Sequence, residues 1–582
     1  MRTFRIVAGA SLGAVALVTS SLTASAAPVA PTGDVGDSSA GRVAQPAGTG
    51  EFVVAYDGDA AAVADAVAAS GGEVVDVNEA AGIALVTSDD AGFAAAANAT
   101  EAITATARNH SVGTSRPGQQ HRFVEERPSA ADRAEHGRRG DPRGSGHGPG
   151  RGQRAEPLAD QQWDMAMMDV DAAHRRATGD GVTVGIIDTG VDGAHPDIAP
   201  NFDAARSRNF TMDIPSVDGP CEVATCIDPP NVDHNGHGTH VAGIVAAARN
   251  GIGTSGVAPD ATIVNVRAGQ DYGYFFLYEV VAALTYAGDA GLDVVNMSFY
   301  TDPWLYNCDS RDDYLSGDVS DEELAQQAFT KQTVTAALEY AHERGVTLVG
   351  AAGNGHTDLS LPTRSDADSP NFPIGSERPR VVTNDCLDMP TEGPHMISVS
   401  SVGPSGTKSD FSNYGPGSVE VAAPGGWFRD FFGTPQFQTP GNLVLSSYPL
   451  EVAIAEGLVD ENGEPVDDFS YRSCDRRGRN CGIYTGLQGT SMAAPHVAGL
   501  AALIIEEHGD RDGRRGYSMD PDEVGRIIEE SATDTACPAG GVEDYTDEGR
   551  PADWNAACVG TTDDNSLYGE GIVDAAAAVA RR

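Results

Sequence analysis

From residue 182 onward the sequence alternates short apolar runs with amphipathic stretches, and this alternation restricts the fold more than any other feature. "GVTVGIIDTG" is an apolar strand ending in an acid, "GTHVAGIVAAA" reads as a helix and "ATIVNVRAG" as a strand. The helix "LYEVVAALTYAGDAG" precedes the strand "LDVVNMSF". "KQTVTAALEYAHERG", residues 331–345, is a helix that closes at Gly345 and leads into the strand "VTLVGAAGN". Strands separated by helices of ~10–15 residues need crossover connections, so the expectation is an α/β fold with a mainly parallel sheet covered on both faces. Functional groups in such sheets gather at the carboxyl ends of the strands.

The N-terminal third is organised differently. "EFVVAYDG" reads as a strand, "DAAAVADAVAASGG" as a helix ended by glycines, "EVVDVNEAAGIALVTS" as two strands, "DAGFAAAANA" as a second helix and "ITATARN" as a last strand. This β-α-β-β-α-β order over residues 51–109 is a ferredoxin-like α+β unit. Residues 115–154 form a Gly/Pro-rich segment with nine arginines against five acids. It lacks interleaved aromatics and lies between two folded units, which favours a flexible linker open to proteolysis. At the start, Arg2 and Arg5, an apolar run over residues 6–18 and the small residues Ala24, Ser25 and Ala26 have the layout of a secretory signal peptide cleaved after Ala26. The run is too short for a membrane span. The expected localisation is therefore secreted and extracellular, with no membrane association after cleavage.

The eight cysteines all lie after residue 220, and an even set in an exported chain reads as disulfides. Cys221 with Cys226 and Cys474 with Cys481 would each close a small loop. We expect Cys308 with Cys386 and Cys537 with Cys558 for the rest, a connectivity that spacing alone leaves open. Metal ligation is the competing use of cysteine, and no CxxC or Cys/His cluster supports it. The formal charge of −46 argues against nucleic acid as a partner of the body of the protein.

Three groups fall at strand ends or helix starts: Asp188 in "IIDTGVDGAHPDI", His237 in "HNGHGTHVAGIVA" and Asn354 in "GAAGNG". Ser491 in "LQGTSMAAPHVAGLAALI" opens an apolar helical run. Each has an ordinary structural use. Asp188 could cap a turn, His237 beside His240 could be a core histidine, Asn354 could serve a turn, and Ser491 could be a helix N-cap. Together they supply what acyl transfer requires. A serine hydroxyl needs an imidazole to take its proton, the imidazole needs a carboxylate to orient it, and the tetrahedral intermediate needs hydrogen-bond donors.

In order along the chain, "DTGVDGAHPDI", "HGTHVAG", "AAGN" and "GTSMAAPHVAG" resemble the motifs of the subtilisin-like serine peptidases, over roughly residues 160–580. The Asp…His…Ser order is that family's. The long connection "TDPWLYNCDSRDDYLSGDVSDEELAQQAF" resembles a secreted actinobacterial branch and suggests a disulfide-stapled surface flap. The resemblance implies that Asp188 orients, His237 is the general base, Ser491 attacks, and Asn354 joins the Ser491 N–H in the oxyanion hole. It implies a subtilisin-like three-layer domain over residues 155–582. Before it come the signal peptide (1–26), a propeptide (27–114) whose ferredoxin-like unit is a chaperone and inhibitor, and the linker (115–154), where maturation cleavage falls.

By position, the resemblance makes residues 271–273 (Asp271, Tyr272, Gly273) one substrate-binding edge and residues 298–300 (Ser298, Phe299, Tyr300) the other. An extended peptide adds as a strand to such edges. Phe299 and Tyr300 stand where the family commonly has glycine or leucine, so bulk is expected at the primary pocket wall. A structural Ca²⁺ is the implied cofactor, held by Gln162, Asp197 and the side chain of Asn250 with backbone carbonyls of Ala248, Ile252 and Thr254. The expected function is a secreted, monomeric, self-processing serine endopeptidase acting on proteins or peptides, with its own propeptide as inhibitor. Alternatives are a narrow-specificity leader-peptide protease and a catalytically silent peptide-binding protein on the same scaffold. A lipase or esterase of the other α/β type is disfavoured, because the serine lacks a G-x-S-x-G elbow.

Overall fold

The computed structural model describes residues 50–109, 156–373, 375–512 and 516–581, all within one compact unit. The signal-peptide and linker expectations lie outside the described residues.

The first described part is a four-stranded antiparallel sheet, β1 (Gly50–Tyr56), β2 (Glu73–Asn78), β3 (Ile83–Ser88) and β4 (Ile103–Arg108), in the order β2-β3-β1-β4. Helices α1 (Ala60–Ala69) and α2 (Phe93–Ala97) complete the ferredoxin-like order. The Asp59 side chain caps α1 by accepting from the Ala61 N–H. Strand alternation explains why the sheet has two apolar faces. Phe52, Val54, Ala84 and Val86 pack on Val63, Val67 and Phe93 of the unit's own helices. The intervening Val53, Ile83 and Leu85, with Ala107, join the core of the large domain instead.

That large domain is a seven-stranded parallel sheet. Its strands are β5 (Thr183–Ile187), β6 (Arg208–Asn209), β7 (Thr262–Arg267), β8 (Val294–Met297), β9 (Thr347–Ala351), β10 (Met396–Val402) and β11 (Val421–Pro424), in the order β11-β10-β9-β8-β5-β7-β6. The strands are buried almost throughout because both faces are covered. On one face lie α3 (His237–Ala246) and α6 (Thr490–His508), which pack on each other. On the other lie α4 (Leu277–Asp289) and α5 (Asp321–His342), and the N-terminal sheet packs outside these two. Asn109 fixes this contact: its Oδ1 accepts from the Tyr278 N–H at 2.9 Å, in the first turn of α4, whose own N-cap residue makes no side-chain cap. Its Nδ2 donates to Glu279 at 3.0 Å.

Two expectations need adjustment. Helix α5 starts at Asp321, well before residue 331, because Ser320 and Glu323 form a reciprocal capping box. Part of the presumed flap is therefore helix. Its residues Tyr314–Ser316 join Thr363–Asp366 and Arg380–Thr383 in a three-stranded antiparallel sheet. The four disulfides are Cys221–Cys226, Cys308–Cys386, Cys474–Cys481 and Cys537–Cys558, the pairing expected. Among the described residues no helix is long and apolar enough to cross a membrane.

Lys408 is buried in the C-terminal apolar cluster, its Nζ donating to the Ser409 carbonyl at 3.0 Å and lying over the Tyr414 ring. Burial pushes its ammonium down to about 7, with Asp410 and Glu543 opposing. Because the unfolded chain holds this proton up to a higher pH, the stability contributed by neutral Lys408 is complete only above the ordinary lysine value and is lost as pH falls through 7. Lys408→Met, compared with its parent in a Ser491→Ala background, should raise the Tm most at and below pH ~7 and progressively less towards pH ~10. A pH-independent difference in Tm would contradict this reading.

Candidate active site

Asp188 directly follows β5 and Ser298 directly follows β8, and between these adjacent strands the sheet order turns in opposite directions. This is the topological switch point, where the carboxyl ends of parallel strands leave a crevice. His237 begins α3, and its Nδ1 lies 2.8 Å from Asp188 Oδ1, with both side chains buried. The same oxygen accepts from the Thr189 N–H at 2.7 Å. The approach depends on Gly238: a Cβ there would sit 2.1 Å from the Gly190 carbonyl oxygen and 3.0 Å from Asp188 Cβ.

Ser491 is the second residue of α6 and is 3% exposed. Helix starts carry unsatisfied N–H groups and a positive field. Pro495 lies four residues further on, inside the helix. Lacking an N–H, it cannot pair with the Ser491 carbonyl. That carbonyl instead accepts from Ser298 Oγ at 3.1 Å, while Ser491 Oγ lies 3.5 Å from the Ser298 carbonyl oxygen. Asn296 Nδ2 donates to Ser298 Oγ at 2.9 Å. The start of α6 is thereby tied to the end of β8.

Asn354 is fixed by a ring of contacts the sequence did not disclose. Its Oδ1 accepts from both the Thr490 N–H and the Thr490 hydroxyl, each at 2.9 Å, and the Thr490 oxygen accepts from the Gly353 N–H at 3.0 Å. A backbone N–H can only donate, so the oxygen of the Asn354 amide faces α6 and its Nδ2 is the other arm. Thr490 is the residue that sequence reasoning missed here. Its place beside the serine in "GTSM" was the available signal.

The expected substrate edges, residues 271–273 and 298–300, have defined surroundings. Residues 271–273 form a tight turn, with Gly273 at φ +97° and its N–H donating to the Gln270 carbonyl. The Tyr272 N–H donates to Asp218 at 3.0 Å, and the Asp271 carbonyl accepts from Asn235 Nδ2 at 2.9 Å. The Asp271 carboxylate pairs with Arg267 at 2.6 Å. Three backbone groups of this turn are thus paired within the chain, and Asp271 serves an internal ion cluster. Phe299 is buried and stacked on Phe275 with centroids 4.1 Å apart. The Tyr300 hydroxyl accepts from Asn371 Nδ2 at 2.6 Å. Of the two segments, only Ser298 touches Ser491 through hydrogen bonds.

The residues expected to hold calcium form one loop cluster. Buried Asp197 accepts from Asn250 Nδ2 through Oδ1, and from the Thr254 N–H and the Tyr484 hydroxyl through Oδ2. The Ala248 N–H donates to the Asp197 carbonyl, and the Ile252 N–H to Asn250 Oδ1. Burial pushes the Asp197 carboxyl up to about 7, and the groups acting on it, Tyr484, Thr254, Asn250 and Glu156, include no cation. Gln162 stands apart, because both ends of its amide bind the Ser255 backbone, at 2.8 and 3.0 Å.

The sequence profile of the subtilase family of peptidases matches residues 179–566, a stretch that contains Asp188, His237, Asn354 and Ser491. The chain belongs to the subtilase family. Thermitase from Thermoactinomyces vulgaris is 29% identical over 351 residues, covering 60% of this chain and 80% of that protein. Subtilisin BL from Lederbergia lenta is 27% identical over 348 residues, covering 60% and 84%. Among solved structures, the epidermin leader peptide processing serine protease from Staphylococcus aureus superposes with a TM-score of 0.57 at 20% identity, covering 91% of this chain and 98% of that one. Fervidolysin from Fervidobacterium pennivorans gives 0.53 at 21% identity, covering 94% and 65%. The two structures share the fold. The subtilase assignment makes the protein a serine endopeptidase, a hydrolase of protein or peptide substrates.

Because Gly238 sets the approach of α3 to the Asp188 turn, Gly238→Ala should separate His237 from Asp188. A displacement near 1 Å predicts a loss on the order of 10²-fold in kcat, measured on a variant that retains cooperative unfolding. Unchanged kcat would show that the contact tolerates the methyl group.

Proposed function

We propose that Ser491, His237 and Asp188 form the catalytic triad of this peptidase. The observation that carries the reading is the buried 2.8 Å contact of His237 Nδ1 with Asp188 at the switch point where Ser298 ties down the start of the Ser491 helix. His237 takes the Ser491 proton as the hydroxyl attacks the scissile carbonyl carbon, and Asp188 holds the imidazole in the tautomer that leaves Nε2 available. Negative charge develops on the carbonyl oxygen. Asn354 Nδ2 and the Ser491 N–H, in the first turn of α6, donate to it, and the helix field adds to the effect. Collapse of the intermediate gives an acyl-enzyme and an amine that takes the proton back from His237. Water then repeats the sequence and releases the acid.

We further propose that the protein is an exported zymogen. The signal-like N-terminus and four disulfides support export. The packing of β1, β3 and β4 on α4 and α5 supports residues 51–109 as an intramolecular chaperone and inhibitor, released by cleavage in or near the linker. A structural Ca²⁺ at the Asp197 loop completes the proposal. Its donors are hard oxygens, and an ion would supply the positive charge that the buried carboxylate lacks. Asp197 and the 248–254 loop would hold it, with Gln162 clamping the loop from outside.

Ser491→Ala should abolish hydrolysis and accumulate as the full-length chain. Mature-sized mutant protein would point to a separate processing enzyme, and retained hydrolysis would overturn the triad. Taking the magnitude from subtilisin itself, Asn354→Ala should lower kcat by about 10²–10³ while substrate still binds. For calcium, a chelator should lower the Tm and speed autolysis, and Asp197→Asn should blunt that response. A Tm indifferent to chelator would remove the ion from the account.

A further inference from the structure

One buried acid beside the crevice is used neither by the proposed chemistry nor by the Asp197 loop. Asp388 is 4% exposed, and its Oδ1 is buried with no hydrogen-bond partner. Its Oδ2 lies 3.9 Å from the place a Cβ on Gly353 would take. Gly353 immediately precedes Asn354. Leaving a buried carboxylate oxygen unpaired is costly, and a native fold that does so calls for an explanation.

The segment that carries Asp388 is tied to both strand ends that flank Ser491. The Thr301 N–H, three residues beyond Ser298, donates to the Met389 carbonyl at 2.6 Å. The Thr391 hydroxyl donates at 2.9 Å to the carbonyl of Ala351, the last residue of β9. The Asp388 N–H donates to the Glu392 carboxylate at 2.8 Å, and the Glu392 N–H returns to the Asp388 carbonyl at 2.8 Å. The cation acting on Asp388 is Arg364, and it is engaged elsewhere. Its two terminal nitrogens bind both oxygens of Glu392 and the carbonyls of Cys386 and Leu359. Burial, then Glu392, hold the Asp388 carboxyl well above the usual carboxylate range, with Arg364 opposing. The group is fixed in place, desolvated and short of a cation.

We propose that Asp388 selects substrates with arginine or lysine immediately before the scissile bond. This rests on the proposed triad and names the substrate class for it. With the scissile carbonyl oxygen on Asn354 Nδ2, the preceding side chain leaves from the atom bonded to that carbonyl, beside Gly353. A long basic side chain then carries its charge to the Asp388 carboxylate, and an arginine can pair through two N–H groups. The incoming cation favours the ionised acid, and the pair forms out of water. An apolar side chain in the same place leaves the acid unpaired. The chain carries fitting sequence of its own. Residues 115–154 hold nine arginines, the last being Arg154 directly before the peptidase domain. Self-processing after an arginine of this segment follows from the same preference.

The test compares two peptides that differ only in arginine or leucine before the cut, with processed wild type, Asp388→Asn, and Ser491→Ala as the blank. Wild type should favour the arginine peptide in kcat/KM. Asp388→Asn should lower the arginine-to-leucine ratio by on the order of 10²-fold, the loss expected when one partner of a buried charge pair is removed. An unchanged ratio, with both peptides falling alike, would make Asp388 purely structural and overturn the proposal, as would a wild type that favours leucine. Should Asp388→Asn fail to fold or mature, wild type alone decides. Its cuts in a mixed peptide library, and the cut that creates its mature N-terminus, should follow arginine or lysine; cuts that follow apolar residues overturn the proposal. Hydrolysis that persists in Ser491→Ala would sink the triad instead, and the ratio would still read Asp388.

Discussion

The structure depends on a buried helix start. Helix α6 runs through the core from Thr490, with nearly every residue buried to Ile505. A helix that long, placed under a parallel sheet, must end its first turn somewhere with unsatisfied N–H groups. Here the ends of β8 and β9 meet it. Thr490 binds Asn354, Pro495 withholds a donor from the Ser491 carbonyl, and Ser298 takes that place. The same three links that satisfy the helix start hold the serine against the sheet and the Asn354 amide in one orientation. Capping and site assembly are one arrangement of hydrogen bonds.

Burial governs the other side of the molecule. The N-terminal unit has a sheet with one face for its own helices and one for α4 and α5, so it can complete its core only by docking. Asn109 then caps a helix that belongs to the large domain. These contacts lie on the face of the sheet opposite α3 and α6. A unit held this way depends on the folded body it covers, which suits a segment that assists folding and is later removed.

Much of this was legible because the informative signals are local. Strand–helix alternation gave the parallel sheet, alternation of period two gave the small α+β unit, and four short motifs named Asp188, His237, Asn354 and Ser491. What could not be read depends on direction or distance. A strand pattern does not say which way Phe299 points, and it points inward onto Phe275. Nor does the 271–273 segment reveal that Asp218, Asn235 and Arg267 pair with it from elsewhere in the chain. The early start of α5 was readable in principle, since Ser320 and Glu323 have capping-box spacing. The Ser298–Ser491 link spans 193 residues and was not.

The central claim is that one serine, made nucleophilic by its surroundings, carries the chemistry. It is tested most directly by treating the expressed, processed protein with a fluorophosphonate and locating the adduct by peptide mass spectrometry. The account predicts a single adduct on Ser491, formed much more slowly in Asp188→Asn, where His237 loses its orienting carboxylate. Adduct formation at another residue, or peptide hydrolysis that continues with Ser491 unmodified, would contradict it.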